Sequence, residues 1–254
     1  VKRKDNGQQK LKKVKMDADP ICGKSHSGPV YRESFLVNEE NYLQNVMVWI
    51  NNPKHSSEIP ATPIELDQVG CRYIPHITGI MQGQELLIKN SDKTLHNIHS
   101  QSELNNTFNF AMPAKSDPSI RKFNEAEDPF YIKCDVHPWM KSWVVVLDHP
   151  YWAVTDKNGN YEINLNALEP GEYELCFWHE KWDKIHNNIT DYCSDFTDNN
   201  GNGKYDDEDT CIQLTDEEGQ YCGSFFKQTI NTSLNESVEA NLQILKPIKE
   251  NKQN

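Results

Sequence analysis

The stretch CDVHPWM, residues 134–140, sets a thiol, an imidazole and a thioether at intervals of three positions: Cys134, His137 and Met140. That mixture suits a metal ion that exchanges one electron. A soft thiolate and two imidazoles in a trigonal plane, with a weak axial thioether, are acceptable to both Cu(I) and Cu(II), so little rearranges between the two states. The stretch lacks only the second imidazole. LHNIHS (95–100) offers it upstream, as His96 or His99. On a strand, positions three apart point to opposite faces; His96 is the preferred ligand and His99 its rival. Asn97 has a natural supporting task, since its side chain can bond across to the ligand loop and tie the two segments together.

Other chemistries fit these residues less well. Covalent haem attachment needs Cys-x-x-Cys-His, which does not occur. A structural zinc site draws four Cys/His ligands in paired spacings and leaves Met140 unused. A Cys–His nucleophile pair would need an orienting acid and an oxyanion hole, and nothing near Cys134 supplies them.

Such ligands need a rigid frame, and the sequence points to strands. Short β-rich runs alternate with Asn, Asp, Gly and Pro turns, which favours an all-β sandwich. Strands are expected at 45–51, 85–90, 95–100, 130–134, 142–148, 161–165, 173–179 and 239–245. The loop 134–140 then joins two of them. TDKNGNY (155–161) has hairpin-turn chemistry, with Asn158 and Gly159 supplying positive φ angles. A short helix is expected at most near 101–107 or 118–126. The longest apolar run, WVVVL (143–147), is far too short to span a bilayer and reads as one strand.

Charge and cysteine content narrow the partners and the compartment. The net charge is −12, which argues against nucleic acid as the main partner. Residues 1–15 carry seven Lys or Arg against one Asp and read as a solvated basic arm, with contact to an anionic surface as the alternative. Of seven cysteines, Cys134 is set aside as a ligand. The other six (Cys22, Cys71, Cys176, Cys193, Cys211, Cys222) allow three disulfides in any of 15 connectivities, as suits an oxidising compartment. The chain begins at Val1 rather than Met, which suits an export signal already removed, so a periplasmic or extracellular home is expected.

DNNGNGKYDDED (198–209) matches the twelve-residue calcium-loop spacing. Asp198, Asn200, Asn202, Lys204 through its carbonyl, Asp206 and Asp209 fall at the ligating positions, and Gly203 at the sharp turn. Calcium is expected there; a solvated Asn/Asp/Gly loop is the alternative. His179 and Glu180, in WHE (178–180), read as a strand end, and His76 as a structural histidine.

With these residues in view, CDVHPWMKSWVVVL resembles the ligand loop and last strand of the blue-copper cupredoxins, in the short-loop form of the amicyanins. HNIH (96–99) is similar to their first-ligand run. The resemblance covers about 80–148. It implies a Greek-key cupredoxin sandwich with His96, Cys134, His137 and Met140 on copper, and Asn97, Pro138 and Trp139 around them. TDKNGNYEI and PGEYEL, further on, are similar to carboxypeptidase regulatory-like (transthyretin-type) β segments, and the whole resembles bacterial proteins described as methylamine-utilisation-like. The expected organisation is a basic arm (1–15), a cupredoxin domain (16–149), and a second, smaller β-sandwich region (150–248) carrying the acidic insertion at about 191–222. The expected function is exported electron transfer with a redox protein partner, without substrate chemistry, electrons leaving by an exposed His137 edge. A copper chaperone or store, and a calcium-stabilised surface scaffold with a secondary copper site, are the alternatives.

Overall fold

WVVVL sits in the strand Lys141–Leu147, and its burial explains how the layers stack. Every residue from Ser142 to Leu147 is buried. Val144 and Val146 face one apolar core, while Trp143, Val145 and Leu147 face another. A strand covered on both faces has no polar side to present, so its sequence is continuously apolar rather than alternating. The computed structural model describes residues 11–181 and, outside them, only the short strands Lys2–Arg3, Phe196–Thr197, Thr210–Cys211, Phe226–Thr232 and Gln243–Ile244.

The fold is an all-β sandwich. One sheet has five strands in the order Asn109–Met112, His96–Ser100, Glu127–Lys133, Lys141–Leu147, Ile77–Met81. The facing sheet has four, in the order Ser119–Lys122, Glu85–Asn90, Ile64–Gln68, Tyr73–Ile74. Neighbours are mostly not consecutive in the chain, as Greek-key connections require, and Lys141–Leu147 runs parallel to Ile77–Met81. Leu66, Tyr73, Ile80, Leu86, Ile88, Ile98, Phe123, Ile132 and Val144 fill the space between the sheets.

A third sheet lies against the outer face of the first. Its order is Trp152–Val154, Met47–Ile50, Gly171–Trp178, Phe226–Thr232. Met47, Trp49, Cys176 and Trp178 meet Ile77, Trp143, Val145 and Leu147 across this interface. Gly79 permits the close approach. A Cβ there would stand 2.5 Å from Cδ2 of Trp152 and 2.7 Å from Cε of Met47, inside any real contact distance.

This arrangement changes several expectations. Met47–Ile50 precedes residue 150 yet is hydrogen-bonded into the third sheet, so a cut at 149/150 does not separate the sheets. Residues 161–165 form no strand, although Tyr161, Ile163 and Leu165 still pack on an apolar cluster. Neither 101–107 nor 118–126 is helical; Ser119–Lys122 is a strand. The α-helix is instead Pro20–Lys24, with Asp19 as its N-cap and Pro20 at its first position. Of 239–245, the described backbone is strand only at Gln243–Ile244. The 156–160 turn takes a positive φ at Gly159 alone, and the Asp156 carboxylate accepts from the amides of Asn158 and Asn160. Among the described residues, no helix is long and apolar enough to cross a membrane.

Candidate metal centre

Two neighbouring strands of the five-stranded sheet deliver the ligand candidates. His96 begins the strand His96–Ser100, and Cys134 follows the end of Glu127–Lys133, with which that strand pairs. The loop 134–140 folds back on itself. The Cys134 amide donates to the Met140 carbonyl (3.3 Å) and the Met140 amide to the His137 carbonyl (2.9 Å). These two bonds close the turn, so three of the four residues come from one tight segment.

The atoms converge. Nδ1 of His96 and Nδ1 of His137 face each other at 2.9 Å, and Cys134 Sγ lies 3.7 Å from His137 Nδ1. One ligand atom from each of the three residues lies within 4.8 Å of the others. All three residues are buried, with His96 at 0 % exposure and His137 at 2 %. Met140, at the end of the loop, is buried as well.

Electrostatics favour an anionic sulfur. Burial alone would raise the Cys134 thiol, but hydrogen bonding to His96 and to the Asn97, His137 and Val136 amides outweighs it and holds the group below its ordinary value. The Asn97 and His137 amides reach Sγ at 3.4 and 3.3 Å. Burial likewise works to lower His96, yet its bonds to Asp92 and Cys134 carry it up to about 9. Burial lowers His137, with the Asp19 carboxylate opposing and His96 reinforcing the shift.

The surrounding residues fix these positions. The Asp135 amide donates to Asn97 Oδ1 (3.0 Å), and Asn97 Nδ2 donates to Asn109 Oδ1 (2.6 Å) and the Phe110 carbonyl (3.3 Å). Asn97 thus bridges the ligand loop and two strands. Trp139 lies against the His137 ring, centroids 5.1 Å apart, and donates Nε1–H to the Cys71 carbonyl (3.0 Å). Pro138 is exposed on the outside of the loop.

Other expected residues fall elsewhere. His99 turns to the opposite side of its strand from His96 and meets Asp135 at 2.9 Å. His76 donates to the Lys141 carbonyl (3.1 Å) and contacts Glu180 Oε1 (2.6 Å), clamping the end of the Gly171–Trp178 strand to the sandwich. His179 is buried at that same strand end, its Nδ1 accepting from the Lys181 amide. Cys22 and Cys71 form a disulfide, and Cys176 is also disulfide-bonded. Cys134 is the free thiol among the described residues. Cys193, Cys222 and the calcium candidates Asp198, Asn200, Asn202, Lys204, Asp206 and Asp209 lie outside the described residues, as do residues 1 and 4–10 of the basic arm and the side chain of Cys211. Residues 12–14 of that arm are paired with 30–32 rather than free in solvent.

One expectation is overturned. His137 has no exposed edge, because Asp19 and the helix Pro20–Lys24 cover it. Asp19 Oδ2 stands 3.1 Å from His137 Nε2 and Cys22 Sγ 3.7 Å from it. Asp19 and Asp92 were not among the expected site residues. Their local signatures, an N-cap before proline and an acid four residues ahead of His96, signal turn chemistry but not a meeting at one site.

The donor set fits copper. Two imidazole nitrogens 2.9 Å apart need a proton or a cation between them, and a thiolate plus two imidazoles, with a buried methionine on the same loop, suits an ion stable as both Cu(I) and Cu(II).

No protein-family model matches the chain, and no curated protein matches it. Solved structures it matches include a purple cupredoxin, amicyanins and a copper-containing nitrite reductase. A purple cupredoxin from Nitrosopumilus maritimus is 24% identical over 33% of this chain and 99% of its own, with a TM-score of 0.28. Amicyanin from Paracoccus versutus is 20% identical over 39% of this chain and 97% of its own, TM-score 0.31. The copper-containing nitrite reductase from Thermus scotoductus SA-01 is 17% identical over 39% of this chain, TM-score 0.30, and the match spans only 26% of the reductase.

Proposed function

We propose that the protein is an exported blue-copper electron carrier, or the copper-bearing subunit of a larger redox assembly. His96, Cys134 and His137 would hold the ion, with Met140 as a weak further ligand. The observation that carries this reading is the convergence of two imidazole Nδ1 atoms and one thiolate-prone sulfur inside a closed loop. When bound, copper supplies one-electron chemistry. The protein would supply two buried imidazole nitrogens, a sulfur that accepts from two amides, and a closed loop that holds them together.

With all three ligand candidates buried, the role proposed for them is electron transfer rather than substrate turnover. Because the helix Pro20–Lys24 covers His137, the loop side is left for a redox protein partner: there Val136 is 52 % exposed and Trp139 lies against the His137 ring. The disulfide Cys22–Cys71 supports residence in an oxidising compartment, periplasmic or extracellular.

The test is to add Cu(II) to the purified chain and to a Cys134→Ser variant. An intense visible thiolate-to-copper band at one copper per chain, absent in the variant, supports the reading. Tight copper binding without such a band refutes it.

A second reading, a protein that stores or hands on copper, draws on that same cover over His137, which hinders electron exchange through the ligand edge. Rapid exchange of electrons between oxidised and reduced protein favours the carrier. Slow exchange with ready release of Cu(I) to an acceptor favours storage.

A further inference from the structure

Each ligand imidazole is backed by a carboxylate. Asp92 Oδ2 lies 2.8 Å from His96 Nε2, and Asp19 Oδ2 lies 3.1 Å from His137 Nε2. A carboxylate only accepts, so each Nε2 carries a hydrogen, and Nδ1 is the nitrogen left to face Cys134 and a bound ion.

Both carboxylates are themselves held. Asp92 accepts from the amides of Gly70 and Cys71, each at 2.7 Å. Asp19 accepts from the amides of Ile21 (2.7 Å) and Cys22 (3.2 Å) as helix cap, and from Thr94 Oγ (3.0 Å). The Cys22–Cys71 disulfide then fastens the capped helix to the very turn whose amides hold Asp92. One covalently stapled unit therefore presents both carboxylates to both imidazoles. Their side chains are 10 % exposed for Asp92 and 19 % for Asp19, so solvent screens the second more than the first.

We propose that Asp92 and Asp19 are positioning residues of this metal site, which lock the orientation of the two imidazoles and, through their negative charge, favour the oxidised ion. The inference rests on the copper reading above. Oxidation adds one positive charge to the ion, and a fixed negative charge one imidazole away interacts more strongly with the higher charge. Carboxylates behind metal-bound histidines also orient the ring and raise its basicity. Neutralising one therefore shifts the balance toward Cu(I).

The experiment compares the full chain with Asp19→Asn and Asp92→Asn. Asparagine has one oxygen where aspartate has two: at position 19 it serves the helix cap as well as aspartate does, so Asp19→Asn leaves the fold intact, and its Nδ2 takes the place of the Oδ2 that accepts from His137 Nε2–H. Reduction potentials are measured with copper bound, and imidazole tautomers by nitrogen NMR without metal. Asp92→Asn should keep the visible band and shift the oxidised-to-reduced preference at least tenfold toward Cu(I), about 59 mV upward. Asp19→Asn should give a smaller rise of the same sign, and it decides the matter if Asp92→Asn does not fold. Unchanged potentials with the band retained, or a wild type whose Nε2 atoms carry no hydrogen, overturn the proposal. A wild type without any visible band overturns the copper reading instead, and the tautomer measurement still decides the positioning role.

Discussion

Replacing Asn97 with alanine removes three hydrogen bonds that join the ligand loop to two strands: Asp135 amide to Oδ1 (3.0 Å), Nδ2 to Asn109 Oδ1 (2.6 Å), and Nδ2 to the Phe110 carbonyl (3.3 Å). Each net bond contributes about 0.5–1.5 kcal/mol. The first two are solvent-exposed, so water replaces part of what is lost, and a total near 2 kcal/mol follows from the lower half of that range. With a urea slope of about 2 kcal/mol per molar, the unfolding midpoint of Asn97→Ala should fall by about 1 M. The backbone amide of residue 97 still reaches the Cys134 sulfur, so the thiolate itself keeps that partner. What the substitution frees is the loop carrying Cys134 and His137. Loss of a residue that orients metal ligands typically costs ten- to a hundredfold in affinity. Urea titration of the metal-free protein and a copper competition assay on the loaded protein read the two effects separately. A midpoint within about 0.2 M of wild type, with copper affinity within about twofold, would refute the reasoning, because the bridge would then hold nothing.

Three further outcomes follow from the fold. Gly79→Ala should destabilise the chain by about 1–3 kcal/mol, since the new methyl meets the Trp152 ring at 2.5 Å; an altered Trp fluorescence together with a lower melting temperature is the expected signature. Glu127→Gln should cost about 3 kcal/mol or more in chemical denaturation. The buried carboxylate accepts from Ser102 Oγ (2.6 Å), Asn105 Nδ2 (2.8 Å) and the Glu103 amide (2.5 Å), and a Gln amide group turns donors against some of these donors. Burial pushes His149 down to about 4, so it stays neutral in the folded chain where the unfolded chain binds a proton. That penalty is absent above about pH 6.5 and grows by about 1.4 kcal/mol per pH unit as pH falls toward 4. His149→Gln should therefore flatten the acid side of the stability profile, and an unchanged slope would remove His149 as a cause.

Residues that act over short sequence distances were legible. Cys134, His137 and Met140 share one loop, and strand alternation alone separates His96 from His99, whose side chain turns away to Asp135. The continuous apolar run at 143–147 marked a strand but not its second cover, because Trp49 and Trp178 come from distant segments. Tyr161, Ile163 and Leu165 alternate as a strand would and do bury apolar surface, yet no described strand is paired with them, and the Asn164 side chain turns the chain at Asn166. Asp19 and Asp92 were beyond reach for a related reason. Their contacts with His137 and His96 depend on a disulfide whose pairing spacing does not specify.

X-ray absorption at the copper edge, on the oxidised and then the reduced protein, tests the ligand assignment most directly. One short sulfur and two nitrogen donors in both states, with the sulfur lost in Cys134→Ser, is the expected result. A shell of oxygen and nitrogen alone, or a ligand lost on reduction, would contradict a site built from His96, Cys134 and His137.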